Sequence, residues 1–72
     1  MTTVYEKTHT YCAACNTTKR WLDKHGIPYD AKSIEDNMDV VRELLPDATS
    51  APVVVTDTDV WFGFRPDKLK EL

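Results

Sequence analysis

The sequence predicts an α/β domain of order β-α-β-α-β-β-α, with four strands in one mixed sheet and three helices around it. Three observations predict it. A short β-type run at Val4 precedes a long helical run that stops at Gly26 and Pro28. A second strand-like run from Tyr29 leads into a second helical stretch closed by Pro46. A β-branched run, Val53-Val54-Val55-Thr56, then turns back through Asp57-Thr58-Asp59 onto Val60-Trp61-Phe62.

Val4 to about Lys7 opens the chain as a strand, with β-branched and aromatic residues and neither Gly nor Pro. Thr8 to Tyr11 is a polar loop, and residues 13–25 follow as a helix. Cys15, Thr18, Leu22 and His25 recur there at helical spacing, with Trp21 widening the face. Lys19, Arg20 and Lys24 sit towards the C-terminal half, where the helix dipole favours them, as a solvated positive face. Gly26 takes the left-handed conformation that ends a helix, and Pro28 prevents continuation. Residues 29–34 form the second strand. Asp36 or Asn37 is placed to cap the second helix, whose apolar face is Met38, Val41, Leu44 and Leu45. Pro52 to Thr56 is a strand suited to burial on both faces, Val60 to Phe62 its hairpin partner, and Gly63 the break. Pro66 suits the first turn of a last helix over 67–72. The β-α-β unit demands a parallel pair, while the closing hairpin is antiparallel.

Seventy-two residues mean one domain, spanning 1–72, with little core to spare. No run of about 18 apolar residues suggests a membrane span, and the N-terminus lacks a signal-peptide pattern. The expected location is therefore the cytoplasm. A net charge of −3 argues against nucleic acid as a partner, and a monomer is expected.

The two cysteines, Cys12 and Cys15, stand between the first strand and the first helix. A helix N-terminus favours negative charge, so the first thiol there ionises readily: a free thiol titrates at about 8.5, and such motifs lower this to roughly 3.5–7.5. The second cysteine lies one turn on, within reach of a mixed disulfide. Cys12 is thus the candidate nucleophile and Cys15 the candidate resolving thiol, with electrons carried in the pair itself and no bound cofactor. As a staple the pair would be weak, since so short a loop offers only about 2 kcal/mol in the chain-entropy model. The alternative is a zinc-holding binding module without enzymatic activity. Zinc needs four ligands, and beyond the cysteines only His9 and His25 remain, on either side of the motif.

Strand, Cys-x-x-Cys turn and helix, in this order of elements, resemble the minimal thioredoxin fold. Beyond the fold, Cys12-Ala13-Ala14-Cys15, Ala51-Pro52-Val53-Val54 and the tract from Trp61 through Phe62, Gly63, Phe64, Arg65 and Pro66 to Asp67 fall in the order and spacing of the NrdH-redoxins. The resemblance covers essentially the whole chain. It implies a protein thiol–disulfide oxidoreductase that takes electrons from thioredoxin reductase and passes them to ribonucleotide reductase. It also implies that Pro52 follows a cis peptide bond facing the dithiol, so that the neighbouring Ala51 backbone pairs with an incoming segment. Glutathione-binding glutaredoxins, the alternative class, carry Gly-Gly and an acidic residue where this chain has Gly63-Phe64-Arg65, and a bulky Phe64 closes part of that groove. This chain departs from its resemblance in having Ala13-Ala14 where Val-Gln is common, and Phe62 where serine is usual. A divergent copy, such as one carried by a phage and working in its host's cytoplasm, would show such changes.

Other residues are candidates beside the pair. Tyr11 is a bulky neighbour of Cys12 and a candidate for partner contact. Trp61 and Phe64 are either core or docking surface, with Trp61 expected to pack and Phe64 to be partly exposed. Arg65 and Asp67 are placed for a local ion pair. His9, three positions before Cys12, either supports the thiolate and moves protons or is a solvated loop residue. Glu6 shares a strand face with Val4. Many thioredoxins have a buried carboxylate the same six residues before the first cysteine, which makes Glu6 a candidate proton acceptor for Cys15.

Overall fold

A computed structural model describes residues 2–72. Its elements are β1 (Thr2–Glu6), α1 (Ala13–Lys24), β2 (Tyr29–Ser33), a 3-10 turn (Glu35–Asn37), α2 (Met38–Leu44), β3 (Val53–Val55), β4 (Val60–Phe62) and α3 (Pro66–Leu69). The four strands lie in the order β2-β1-β3-β4. β1 and β2 run parallel, from Thr2 opposite Tyr29 to Glu6 opposite Ser33. β3 pairs antiparallel with β1, setting Val54 against Val4, and β4 pairs antiparallel with β3, setting Trp61 against Val54. The predicted mixed sheet with three helices is present.

Strand alternation divides the apolar residues between two faces. Val4, Val54 and Trp61 pack with Leu22 of α1 and Leu69 of α3. Tyr5 and Val53 pack with Val41 of α2 on the other side. Val4, Leu22, Val53, Val54 and Leu69 are all 0% exposed, and burying each such side chain contributes about 1.5–3 kcal/mol. The sheet is thereby clamped between α1 with α3 and α2.

Several boundaries differ from the sequence expectation, each for a local reason. β1 begins earlier and releases Lys7, because the parallel ladder with β2 ends at Glu6 opposite Ser33. β2 stops at Ser33, and Ile34 turns into the 3-10 segment. Asn37 does occupy the N-cap position of α2, but its side chain makes no cap bond there; its amide donates to Ser33 O at 2.7 Å. Only Val41 of the expected α2 face is buried, and Met38 and Leu44 remain about two-fifths exposed. A seven-residue helix that starts after a 3-10 turn has room for one inward turn. α1 ends at Lys24, with Gly26 at φ +66° as the Gly-Pro signal requires. His25 is exposed instead of inward, its ring stacked on Trp21 with centroids 3.9 Å apart. β3 is the shorter Val53–Val55, with Pro52 just outside it. α3 is a single turn that starts at Pro66 and stops at Leu69, once that leucine has reached the core.

Candidate active site

The loop that follows β1 brings Cys12 to the head of α1. Cys12 is the N-cap residue, with an extended backbone at φ −134° and ψ 101°. Its Sγ accepts the Cys15 N–H at 3.2 Å, and its carbonyl oxygen accepts the Asn16 N–H at 3.2 Å. A first-turn N–H that has no partner within the helix thus points at the sulfur, an arrangement that favours a thiolate. The two cysteines are joined as a disulfide, their Cα atoms 5.3 Å apart. They differ in access: Cys12 is half-buried, while Cys15 is 1% exposed. Cys12 is thus the more accessible of the two, and Cys15 lies buried behind it.

The β3 end completes the site. The Ala51–Pro52 peptide is cis, and both residues are buried. Cys12 Sγ lies 4.0 Å from Ala51 O. Gly63, at φ +80°, donates its N–H to Pro52 O at 2.8 Å, which ties the end of β4 to this turn. That positive φ is what a side chain at Gly63 would strain. Beside Ala51 opens a cavity of about 550 Å³, floored by Ile34, Val41, Leu45 and Ala48 and flanked by Lys7 and Arg42. Sequence reasoning missed this groove, because its walls come from separate elements.

In this geometry the chain is placed among known proteins. The glutaredoxin family model matches residues 2–61. The glutaredoxin-like protein NrdH of Lactococcus lactis subsp. lactis is 34% identical over all of this chain and 99% of its own. The gene 56 protein of Mycobacterium phage L5 is 42% identical over 97% of this chain and 69% of its own length. The solved structure of the glutaredoxin-like NrdH-redoxin from Escherichia coli superposes with a TM-score of 0.84 at 26% identity, covering 99% of this chain and 92% of that one. The chain belongs to the glutaredoxins, among the NrdH-redoxins. Its fold is thioredoxin-like, and a redoxin of this family is a thiol–disulfide oxidoreductase. Among the described residues no group of three His, Cys, Asp or Glu side chains is placed to hold a metal ion, and no helix is long and apolar enough to cross a membrane.

The remaining candidates fall into distinct places in the redoxin. Tyr11 is 82% exposed beside Cys12, whereas Trp61 is 4% exposed and sits in the core. Phe64 is half-buried against that same core. Arg65 grips Asp67 through two hydrogen bonds of 3.1 and 2.9 Å, and Lys68 donates to Asp59 at 2.9 Å. Asp67 is held below the usual carboxylate range chiefly by the Arg65 hydrogen bonds, and Asp59 chiefly by the Lys68 hydrogen bond. The imidazole of His9 is out in solvent, and it is the backbone N–H of His9 that is engaged, by Glu35. Glu6 does face the α1 side. It pairs with Lys19 at 2.7 Å, its side chain only 15% exposed. Lys19 is thus no member of a wholly solvated face; it lies one turn beyond Cys15 and reaches under α1 to the strand.

Glu35 was not singled out by its sequence context. Its carboxyl is lowered from the usual 4.5 to about 2, chiefly by the Thr8 N–H and further by the His9 N–H and Ser33 hydroxyl. A depressed carboxylate stabilises the fold above its unfolded-state value and loses that contribution as pH falls through the folded one. The stability difference between wild type and Glu35→Gln is expected to shrink as pH drops from about 5 to about 2. Urea midpoints at successive pH values check this, and a constant difference would refute it.

Proposed function

We propose that this redoxin reduces protein disulfides, is itself reduced by thioredoxin reductase, and supplies electrons to ribonucleotide reductase in the cytoplasm. The observation that carries the reading is the unequal access of the two cysteines at a helix N-terminus. The Cys12 thiolate attacks one sulfur of the target disulfide; that S–S bond breaks, and the target leaves one thiolate free. Cys15, deprotonated, then attacks Cys12 Sγ, forming the Cys12–Cys15 disulfide and releasing the second target thiolate. Two electrons and two protons pass to the target, and a flavoprotein reductase restores the dithiol. No bound cofactor takes part in these steps.

Docking is expected over Tyr11, the Ala51 backbone beside Pro52, and the surface from Gly63 through Phe64 to Arg65. The groove is lined in part by Ala51, whose carbonyl oxygen lies 4.0 Å from Cys12 Sγ, and it offers the target segment an apolar seat. The choice of reductant follows the NrdH relatives and the Escherichia coli protein, whose structure was solved to explain a thioredoxin-like activity profile. The bulk of Phe64 agrees with a poor fit for glutathione.

The test is NADPH consumption during reduction of insulin, supplied either by thioredoxin reductase or by glutathione with glutathione reductase. Turnover with the first supply alone supports the proposal. Turnover with the second alone would make the protein a glutathione-dependent glutaredoxin.

Glu6 is proposed to take the proton from Cys15, from its place on the α1 side of β1 with Lys19 as its counter-ion. Glu6→Gln is then expected to shift the pH dependence of insulin reduction while Cys12 remains alkylable. An unchanged pH profile would remove Glu6 from the proton path.

A further inference from the structure

The loop that carries the nucleophile has no apolar anchor. Lys7, Thr8, His9, Thr10 and Tyr11 are all exposed, and a segment with so few buried contacts opens easily. Yet Cys12 must stand in one place, since a misplacement of about 1 Å at a reacting atom costs about a hundredfold in rate. Something other than packing has to hold the loop.

That hold is polar and comes from 27 residues away. Glu35 Oε1 accepts the Thr8 N–H at 3.0 Å and the Thr8 hydroxyl at 3.2 Å. Its Oε2 lies 3.2 Å from the same Thr8 N and accepts the His9 N–H at 3.2 Å. The carboxylate is itself fixed from behind by the Ser33 hydroxyl, which donates to Oε1 at 3.1 Å and lies 3.0 Å from Thr8 Oγ1. Ser33 is also the hinge of the 3-10 turn: its Oγ accepts the Asp36 N–H at 3.3 Å, and its carbonyl accepts the Asn37 amide. Hydrogen bonds to an ionised acceptor are about twice as strong as neutral ones. Here two successive backbone donors of one loop converge on a single carboxylate.

We propose that Glu35 is the positioning residue of the dithiol loop, holding Tyr11 and Cys12 in register with the Ala51 edge so that a protein disulfide can dock. The proposal rests on the functional reading above. Glu35 touches neither sulfur and acts through Thr8 and His9. Because it also lines the groove beside Ala51, one side chain sets both the loop that attacks and the wall along which the target lies. A small disulfide needs no such alignment. It has only to meet the Cys12 thiolate.

The experiment uses the pre-reduced full chain, as wild type and Glu35→Gln. Second-order rate constants are measured with insulin and with 5,5′-dithiobis(2-nitrobenzoic acid), alongside amide hydrogen exchange at Thr8 and His9. Glutamine keeps the shape but presents an NH₂ group where one oxygen faced the loop donors. The variant is expected to exchange both amides about tenfold faster and to reduce insulin about tenfold more slowly, with the small disulfide unaffected. Equal slowing of both substrates would point to a merely structural role, and unchanged exchange would show that the clamp does not hold the loop; either overturns the proposal. A wild-type chain inert towards both disulfides overturns the functional reading and this inference with it. A wild type active on both, with Glu35→Gln reducing insulin normally, removes this inference alone.

Discussion

Replacing Cys12 by serine is expected to abolish disulfide reduction, with a loss of about a thousandfold or more, as removal of an enzyme nucleophile generally brings. A hydroxyl at the head of α1 does not ionise near neutral pH, so nothing remains to attack sulfur. The loss will not come from unfolding. Serine is among the preferred N-cap residues, and the Cys12 sulfur already plays that part by accepting the Cys15 N–H. Denaturant midpoints of the variant and of the reduced wild type should therefore be close. Cys15→Ser is expected to behave differently. Cys12 can still capture the target, but the buried partner that would release it is gone, so a mixed disulfide accumulates. Mass spectrometry under non-reducing conditions reads this directly. If Cys15→Ser formed no adduct while Cys12→Ser did, the roles of the two sulfurs would be exchanged, against their burial.

Much of the frame was legible because local chemistry and tertiary packing agree in it. Leu22 recurs with Cys15 and Thr18 at helical spacing, Gly26 and Pro28 close the helix, and all three of those side chains are buried. Val53 and Val54 belong to a run that reads as buried on both faces, and they are. The spacing of the two cysteines against the start of α1 placed Cys12 at the helix cap and Cys15 one turn inside, and the structure has them there, the second buried. α2 was read less well, since a helical period seen in the sequence has no fixed phase until the 3-10 turn before it sets one. Met38 and Leu44 fit the period and still face solvent. α3 is too short for any period to bound it.

What escaped the sequence are contacts made by distant polar residues. Glu35 sits in an acidic stretch whose default meaning is solvated surface. It meets Thr8 only because β1 and β2 pair in parallel register and set Glu6 beside Ser33. Lys19 has the same history. On its own helix it belongs to a positive face, and only the seating of α1 on the sheet brings it to Glu6. Pattern reasoning sees periodicity within a segment, whereas these two charges matter through a register between segments.

Leu22→Ala is expected to have the largest effect on stability. Leu22 is 0% exposed and packs where α1 meets Val4, Val54, Trp61 and Leu69. Truncating such a leucine costs about 2–5 kcal/mol, through lost burial and the cavity left behind. At roughly 0.05–0.15 kcal/mol per residue, a chain this short has a total stability of only about 4–11 kcal/mol. A large share of it would go at one position. The expected result is a urea midpoint reduced by about half. Leu22→Met, which nearly conserves volume, should cost less than about 1.5 kcal/mol. A loss below about 1 kcal/mol in the alanine variant would mean that α1 is seated by other contacts. Activity should fall with the fold in Leu22→Ala, whereas Cys12→Ser loses activity with the fold intact. The same helix that presents the sulfur is thus anchored seven residues beyond Cys15, and the two substitutions separate its chemical end from its structural one.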